Sequence, residues 1–203
     1  MTAEHKLFQI FRAGVHTAMR GQRLEFSEHD LELTASTYAA TKKGAPLVLG
    51  HPENDNPSYG RVVGLFAKAG VLFAQAEVDP ALAGMVRQGS YRYVSASFFQ
   101  PQSPNNPMPG VYTLKHVGFL GATPPSVKGL TPPEFGDGYG ALCFAEGCEL
   151  NKGITNSFQA ETAVRVDQKR LAVHNLAQEY QQVCPALSYS EAVAHAGQVL
   201  TLY

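Results

Sequence analysis

The sequence predicts an α+β protein, with a β-rich body over residues 1–135, a linker over 136–160 and a small helical tail over 161–203. Short apolar runs of strand length alternate with turn signals through the first 120 residues. The segment 123–140 then holds four prolines and four glycines. Beyond about residue 160, proline is absent except at Pro185 and helix-forming residues dominate.

The strands follow from apolar runs bounded by glycine, proline or polar turns. Predicted strands cover 6–14, 45–50, 91–99 and 111–122, together with two strands in 60–78. The pair Ala69-Gly70 divides 60–78 and predicts a hairpin turn. Residues 100–110 are a predicted loop, and the Pro/Gly-rich segment 123–140 is a predicted extended surface segment.

The helices follow from spacing and caps. Ser27 and Asp30 form a variant of the capping box for a helix over 26–41. Asp79 caps a short helix over 79–89, which ends at Gly89. Two further helices are predicted over 166–183 and 188–203, and the first of them carries apolar residues at helical spacing.

Charge and cysteine content exclude several classes of function. With 16 basic and 17 acidic residues in 203, no basic face is implied, so nucleic acid is not an expected partner.

The N-terminus lacks a signal-peptide pattern and no apolar run approaches 18 residues, so we expect no membrane span and a cytoplasmic location. The three cysteines give no disulfide framework, and Cys143 and Cys148 support a zinc site only weakly.

The seven histidines fall into different settings. Solvent exposure is predicted for His29, His174 and His195, and His16 is expected in a turn. His51 follows a buried strand, where the scaffold fixes a side chain that solvent can still reach. His116 lies inside an apolar strand, where it is either a core histidine with hydrogen-bond partners or part of a site.

Two serines in "YVSASFF" share one face of a predicted strand, because side chains two residues apart point the same way. Ser95 and Ser97 either fill space beside a neighbouring strand or provide a nucleophile. A serine hydroxyl needs a positioned imidazole to accept its proton, and that imidazole needs a third group to orient it.

Other chemistries have less support. The chain has no G-x-S-x-G elbow, no H-E-x-x-H and no phosphate-binding or dinucleotide glycine motif. Glu53 and Asp55 follow His51, and a metal-dependent hydrolase using His51, Asp55 and His116 is a weaker alternative. Both acids are predicted in an exposed turn, so no metal or other cofactor is expected.

Three blocks in this order, "PLVLGHPENDNPSYGRVVGL", "YRYVSASFF" and "LKHVGFLGATPPSVKGL", resemble the Mu-like phage I protein family of prohead maturation proteases. The resemblance covers roughly residues 7–130. It implies an assemblin-like fold, with a β-barrel-like antiparallel core, surrounding helices and a helical tail that begins a scaffold-like region.

The resemblance also implies a Ser-His-His catalytic site. Carried over by motif, Ser95 is the nucleophile, His51 the general base and His116 the third member. Ser97 remains an alternative nucleophile. Assemblins use an arginine-containing loop for the oxyanion hole, but "GFLGATPP" has no arginine, so backbone N–H groups near Gly118 or Gly121 are the expected donors.

The implied function is a serine endopeptidase of capsid maturation. It would cleave phage scaffold, the major capsid protein and itself inside the prohead, in the host cytoplasm, and by analogy it would act as a homodimer. The alternative is a catalytically inactive capsid assembly or scaffolding factor with the same fold. Reactivity at Ser95 and self-processing distinguish the two.

Overall fold

The computed structural model of the protein describes residues 3–18, 21–38, 44–121, 127–133, 135 and 168–201. Its strands are β1 (Glu4–Arg12), β2 (Gly14–Thr17), β3 (Arg23–Phe26), β4 (Ala45–Leu49), β5 (Ser58–Lys68), β6 (Val71–Val78), β7 (Tyr93–Phe99) and β8 (Thr113–Leu120). Its helices are α1 (Glu28–Thr37), α2 (Pro80–Arg87), α3 (Gln168–Val183) and α4 (Tyr189–Thr201). Among the described residues, no helix is long and apolar enough to cross a membrane.

Six strands form one curled sheet in the order β1-β6-β5-β4-β8-β7. Its two edge strands approach each other, and the rings of Phe11 on β1 and Phe98 on β7 lie 5.0 Å apart in an edge-to-face contact. The predicted α+β class with a barrel-like core is confirmed. One departure is that β4 and β8 run parallel, because the chain between them is long enough for a crossover connection.

Alternating side chains divide the sheet into two faces. On β6, Leu72, Ala74 and Ala76 belong to the inner core, together with Leu31 of α1. Val71 and Phe73, on the opposite face of the same strand, point outward and pack against α3 and α4. The two C-terminal helices therefore cover the outer face of the sheet and share an apolar cluster with it.

The local signals for the helices agree with the structure. Ser27 caps α1, its hydroxyl accepts from the Asp30 N–H at 3.1 Å, and the Asp30 carboxylate accepts from the Ser27 N–H at 2.8 Å. Asp79 caps α2, accepting from the Ala81 N–H at 2.8 Å. The α1 helix ends at Thr37 rather than 41, with Tyr38 in an extended conformation.

Three expectations about surface residues were wrong. His16 lies on strand β2 of a two-stranded hairpin with β3, not in a turn. His195 is half-buried with its ring stacked 4.5 Å from that of Phe66, and the half-buried His174 hydrogen-bonds the Tyr189 hydroxyl. His174 lies on α3 and His195 on α4, and each helix packs on a neighbouring element that its own sequence does not reveal.

The predicted surface segment 123–140 is only partly described. Four of its eight described residues are exposed, as predicted, but three are buried, against the prediction. Val127 and Phe135 are buried in the inner core. The guanidinium groups of Arg12 and Arg87 donate to the Gly129 and Phe135 carbonyls at 3.3 and 2.7 Å. The proline content favours an extended chain, but two apolar side chains still have room in the core. The predicted linker 136–160, with Cys143 and Cys148, lies outside the described residues.

Candidate active site

A glycine contact sets the position of His51. Strand β4 ends at Leu49, and Gly50 adopts a left-handed φ of 67° that turns the chain across β8. A Cβ on Gly118 of β8 would lie 2.1 Å from the Gly50 carbonyl oxygen and 3.2 Å from His51 Cε1. Only glycine at 118 lets the loop cross at this distance, and the His51 ring lies directly over Gly118.

Two histidines and a carboxylate form a hydrogen-bonded line. His51 Nδ1 lies 2.7 Å from His116 Nε2, and His116 Nδ1 lies 2.5 Å from Asp55 Oδ1. Only 2% of the His116 surface is exposed. Both ring nitrogens of this buried imidazole are therefore occupied, so it meets the requirement that buried polar groups be hydrogen-bonded.

The carboxylate fixes the tautomers along the line. An ionised Asp55 can only accept, so His116 Nδ1 carries the proton. A neutral His116 then accepts at Nε2, and His51 must donate from Nδ1. His51 Nε2 is left unprotonated, and no hydrogen bond engages it among the described residues. This is the state in which an imidazole acts as a general base.

The surroundings hold both histidines neutral. Burial lowers the pKa of His51, and the nearby His116 and Lys115 lower it further. Burial also lowers the pKa of His116, although the hydrogen bond and charge of Asp55 oppose this effect. Since the protonated imidazole is disfavoured, His51 keeps its lone pair to a lower pH than an ordinary histidine.

The cross-strand register puts each serine opposite a different partner. Ser95 is opposite Gly118 and Ser97 is opposite His116. Directly opposed side chains share a face, with Cβ atoms roughly 5 Å apart. Ser95 therefore lies beside the His51 ring that covers Gly118, whereas Ser97 lies beside His116. Among the described residues, no hydrogen bond engages either hydroxyl.

The two serines and both histidines line a cavity of about 540 Å³. This volume is within the range of small-molecule and cofactor sites. Its polar lining includes Lys115, Gln22 and Gln100 in addition to the serines and histidines. Its apolar lining is Phe11, Leu24, Phe26, Phe98, Tyr112 and Val127, among others.

The structure thus brings Ser95, Ser97, His51 and His116 together. Asp55, expected in an exposed turn, is instead partly buried and hydrogen-bonded to His116. The sequence suggested Asp55 only as a metal ligand, although its place four residues after His51 was a usable signal. Among the described residues, no group of three or more His, Cys, Asp or Glu side chains has the arrangement of a metal site.

The two glycines named for the oxyanion hole do not line the cavity. Gly118 lies within β8 between β4 and β7, where its observed role is to admit the Gly50 carbonyl. Gly121 lies just beyond β8, and a Cβ there would be 3.2 Å from the Ser90 carbonyl oxygen. Their role as donors stays a prediction without geometric support.

No protein-family model matches the chain, and no curated protein matches it. Among solved structures, it is similar to the Kaposi's sarcoma-associated herpesvirus protease in complex with an allosteric inhibitor, at 15% identity over 64% of this chain and 76% of that one, with a TM-score of 0.41.

Two other structures of the same viral protease match at a similar level. One is a complex with a dimer disruptor, at 15% identity over 64% of this chain and 75% of that one, with a TM-score of 0.41. The other, with a hexapeptide phosphonate inhibitor, shares 16% identity over 64% of each chain, again with a TM-score of 0.41. Similarity this distant identifies neither the activity nor the functional residues of this chain.

Proposed function

We propose that the chain is a serine endopeptidase that uses Ser95 as nucleophile, His51 as general base and His116 as the residue that orients the base. The observation that carries this proposal is the line of hydrogen bonds from Asp55 through His116 to His51. It ends at His51, whose Nε2 is unprotonated and which lines the same cavity of about 540 Å³ as Ser95. A nucleophile, a base and an orienting group in this order are what acyl transfer requires.

The geometry favours Ser95 over Ser97. Ser97 is opposite His116, whose two ring nitrogens are already engaged by His51 and Asp55. Ser95 is opposite Gly118, under the ring of His51, which has a free Nε2. A general base must have a lone pair within reach of the proton it removes. Ser95 is the serine opposite the residue that the His51 ring covers, whereas both ring nitrogens of the imidazole opposite Ser97 are already engaged.

In the proposed reaction, Ser95 Oγ forms a bond to the peptide carbonyl carbon while its proton passes to His51 Nε2. The protonated base then gives this proton to the leaving amine as the C–N bond breaks. A water molecule attacks the resulting ester, with His51 again as base, and releases the acid and the serine hydroxyl. Asp55 and His116 support the positive charge that forms on His51 in each half-reaction.

The biological setting is part of the same proposal and depends on the sequence blocks that resemble phage prohead proteases. The substrates would be scaffold, major capsid protein and the chain itself, cleaved within the prohead in the bacterial host. A second copy of the chain is the other expected partner. An inactive assembly factor is the competing function, and reactivity at Ser95 separates the two.

A fluorophosphonate probe tests the nucleophile, because it labels activated serines without knowledge of the substrate. The intact chain and its Ser95→Ala, Ser97→Ala and His51→Ala variants are treated and followed by intact mass. We expect one adduct on the wild type and on Ser97→Ala, and none on Ser95→Ala or His51→Ala. The same variants, expressed with capsid and scaffold partners, then report on self-processing.

Two outcomes would contradict the proposal. Labelling that is lost only in Ser97→Ala would move the nucleophile to the other serine. A wild type that is not labelled, and that cleaves nothing in the presence of its partners, would favour the inactive assembly factor. Circular dichroism of each variant excludes loss of folding as the cause.

A further inference from the structure

A β-bulge lies next to His116. Ser97 of β7 is opposite His116, but the next pair along the ladder joins Phe98 to Leu114, so Lys115 is an extra residue on β8. Burial agrees with this register, since Leu114 and Val117 both belong to the inner core. Lys115 and His116 therefore project on the same side of the sheet, which regular alternation would forbid.

The bulge aims Lys115 at the active site. Its Nζ lies 3.4 Å from Asp55 Oδ1, the oxygen that accepts from His116. Lys115 also lines the cavity that holds Ser95 and His51. Without the extra residue, its side chain would point into the apolar core. The irregularity in the ladder thus places a cation at the end of the hydrogen-bonded line.

We propose that Lys115 is a positioning residue of this site, an inference that rests on the proposed function. Its ammonium group holds the Asp55 carboxylate against His116 and adds a positive charge at the end of the hydrogen-bonded line. Bulges beside active sites commonly redirect a side chain in this way.

The charges around His51 determine the direction in which its pKa should change when Lys115 is replaced. His116 and Lys115 face it from β8, Asp55 and Glu53 lie in its own loop, and Ser95 faces it from β7. Lys115 lowers the pKa of both His51 and His116. Removal of its charge takes away this repulsion and leaves Asp55 without its ion pair. Both changes favour protonation of His51, so the base is lost at a higher pH.

Histidine-ring NMR titration of the full chain is the test. We compare the wild type with Lys115→Met and Lys115→Arg. Lys169→Met on α3 is the control for loss of a positive charge, because none of the described residues of α3 lines the cavity. A His51→Gln variant assigns the resonance. In Lys115→Met we expect the midpoint of His51 to rise by about 0.5–1 pH unit, as loss of a nearby cation would produce. Lys115→Arg and Lys169→Met should keep the wild-type midpoint.

The rate of fluorophosphonate labelling against pH gives a second readout. The labelling rate falls at low pH, and the midpoint of this fall should rise in Lys115→Met by the same interval of about 0.5–1 pH unit. In Lys115→Arg the midpoint should be that of the wild type. A purely structural role would lower the rate at every pH and leave both midpoints unchanged, and that result would overturn the inference. If the wild type is not labelled at all, the proposed function fails, while the His51 titration still decides the role of Lys115.

Discussion

At the scale of single residues, the two imidazoles of the proposed site differ in their surroundings, and the proposed roles follow from this difference. His116 is almost fully buried and has a partner on each nitrogen. His51 is half-buried at the edge of the cavity and has one nitrogen free. Because the Asp55 carboxylate accepts from His116 Nδ1, the protons of the line are on His116 Nδ1 and His51 Nδ1. The third group of the proposed site is thus a histidine supported by a carboxylate, which stabilises an imidazolium better than a neutral histidine alone.

The pH dependence follows from the lowered pKa of His51. The base acts only when neutral, and burial together with nearby positive charge shifts its protonation below the ordinary value of about 6.5. We therefore expect the labelling rate to fall at low pH with a midpoint below pH 6.5. An acid limb with a midpoint above 6.5 would contradict this assignment.

The same shift predicts how stability depends on pH. The unfolded chain binds a proton at His51 near pH 6.5, whereas the folded protein does so only at lower pH. The free energy of unfolding is therefore expected to decrease as the pH falls from about 6.5 through the folded pKa. Urea unfolding of the wild type and of His51→Gln at several pH values measures this contribution, which the variant should lack.

Replacement of Asp55 by Asn tests the carboxylate. The amide is neutral, so it cannot support the imidazolium that forms during catalysis, and its N–H₂ group can bind His116 in the wrong tautomer. We expect the labelling rate of Asp55→Asn to fall about 10–100-fold, as for other groups that orient a reacting residue. Glu32→Gln, an exposed acid on α1, is the matched control and should retain the wild-type rate.

At the scale of elements, the site depends on three neighbouring strands, β4, β8 and β7. Strand β4 delivers the loop that carries His51 and Asp55, and the parallel strand β8 carries Gly118 and His116. The antiparallel strand β7 then adds Ser95 from the other side of β8. Ser95 and His116 lie on strands of one sheet, and His51 and Asp55 lie in the loop between β4 and β5 of the same sheet, which holds the site in register.

The crossing of the loop over β8 predicts a cost for Gly118→Ala. The new methyl group would lie 2.1 Å from the Gly50 carbonyl oxygen, which is backbone and must move. We expect the free energy of unfolding to drop by about 1–3 kcal/mol and the labelling rate to fall with it. Gly84→Ala on α2, where a Cβ meets nothing within 4 Å, should instead stabilise by about 0.5–1 kcal/mol. Urea unfolding and labelling rates measure both variants, and an unchanged Gly118→Ala would contradict the role of this contact.

At the scale of the whole molecule, α3 and α4 form a second layer on the sheet. Leu176 and Tyr180 of α3 pack with Phe66 and Phe73 of the sheet, and Lys68 of β5 pairs with Glu191 of α4 at 2.8 Å. The expected division into a protease body and a separate helical tail stays a prediction. The shared cluster instead favours folding of the described helices together with the sheet.

Truncation of Leu176 tests this coupling. Leu176→Ala removes a buried side chain at the layer interface, so we expect the free energy of unfolding to fall by about 2–4 kcal/mol. Far-UV circular dichroism and tyrosine fluorescence should shift together in urea. Leu171→Ala on the exposed face of α3 should change stability by less than about 0.5 kcal/mol. A helical transition separate from that of the sheet would mean that the two layers fold independently.

Local sequence determined most of the elements. The caps at Ser27 and Asp79, and the Ala69-Gly70 turn, act within a few residues, so their signals are complete in the sequence. The hairpin of β2 and β3 escaped prediction because its strands are four residues each, too short to establish a period of two. The apolar positions of α3 were also correctly identified, since the 3.6-residue period shows which face is buried.

Tertiary structure decided what surrounds each functional side chain. His51, Ser95 and His116 were named by motif, but whether Ser95 or Ser97 lies beside the free nitrogen depends on the register of β7 against β8. The partnership of Asp55 with His116 joins residues 61 apart in the chain. The position of Lys115 on the active-site face depends on one bulge. These are relations between strands, and no periodicity within a single strand contains them.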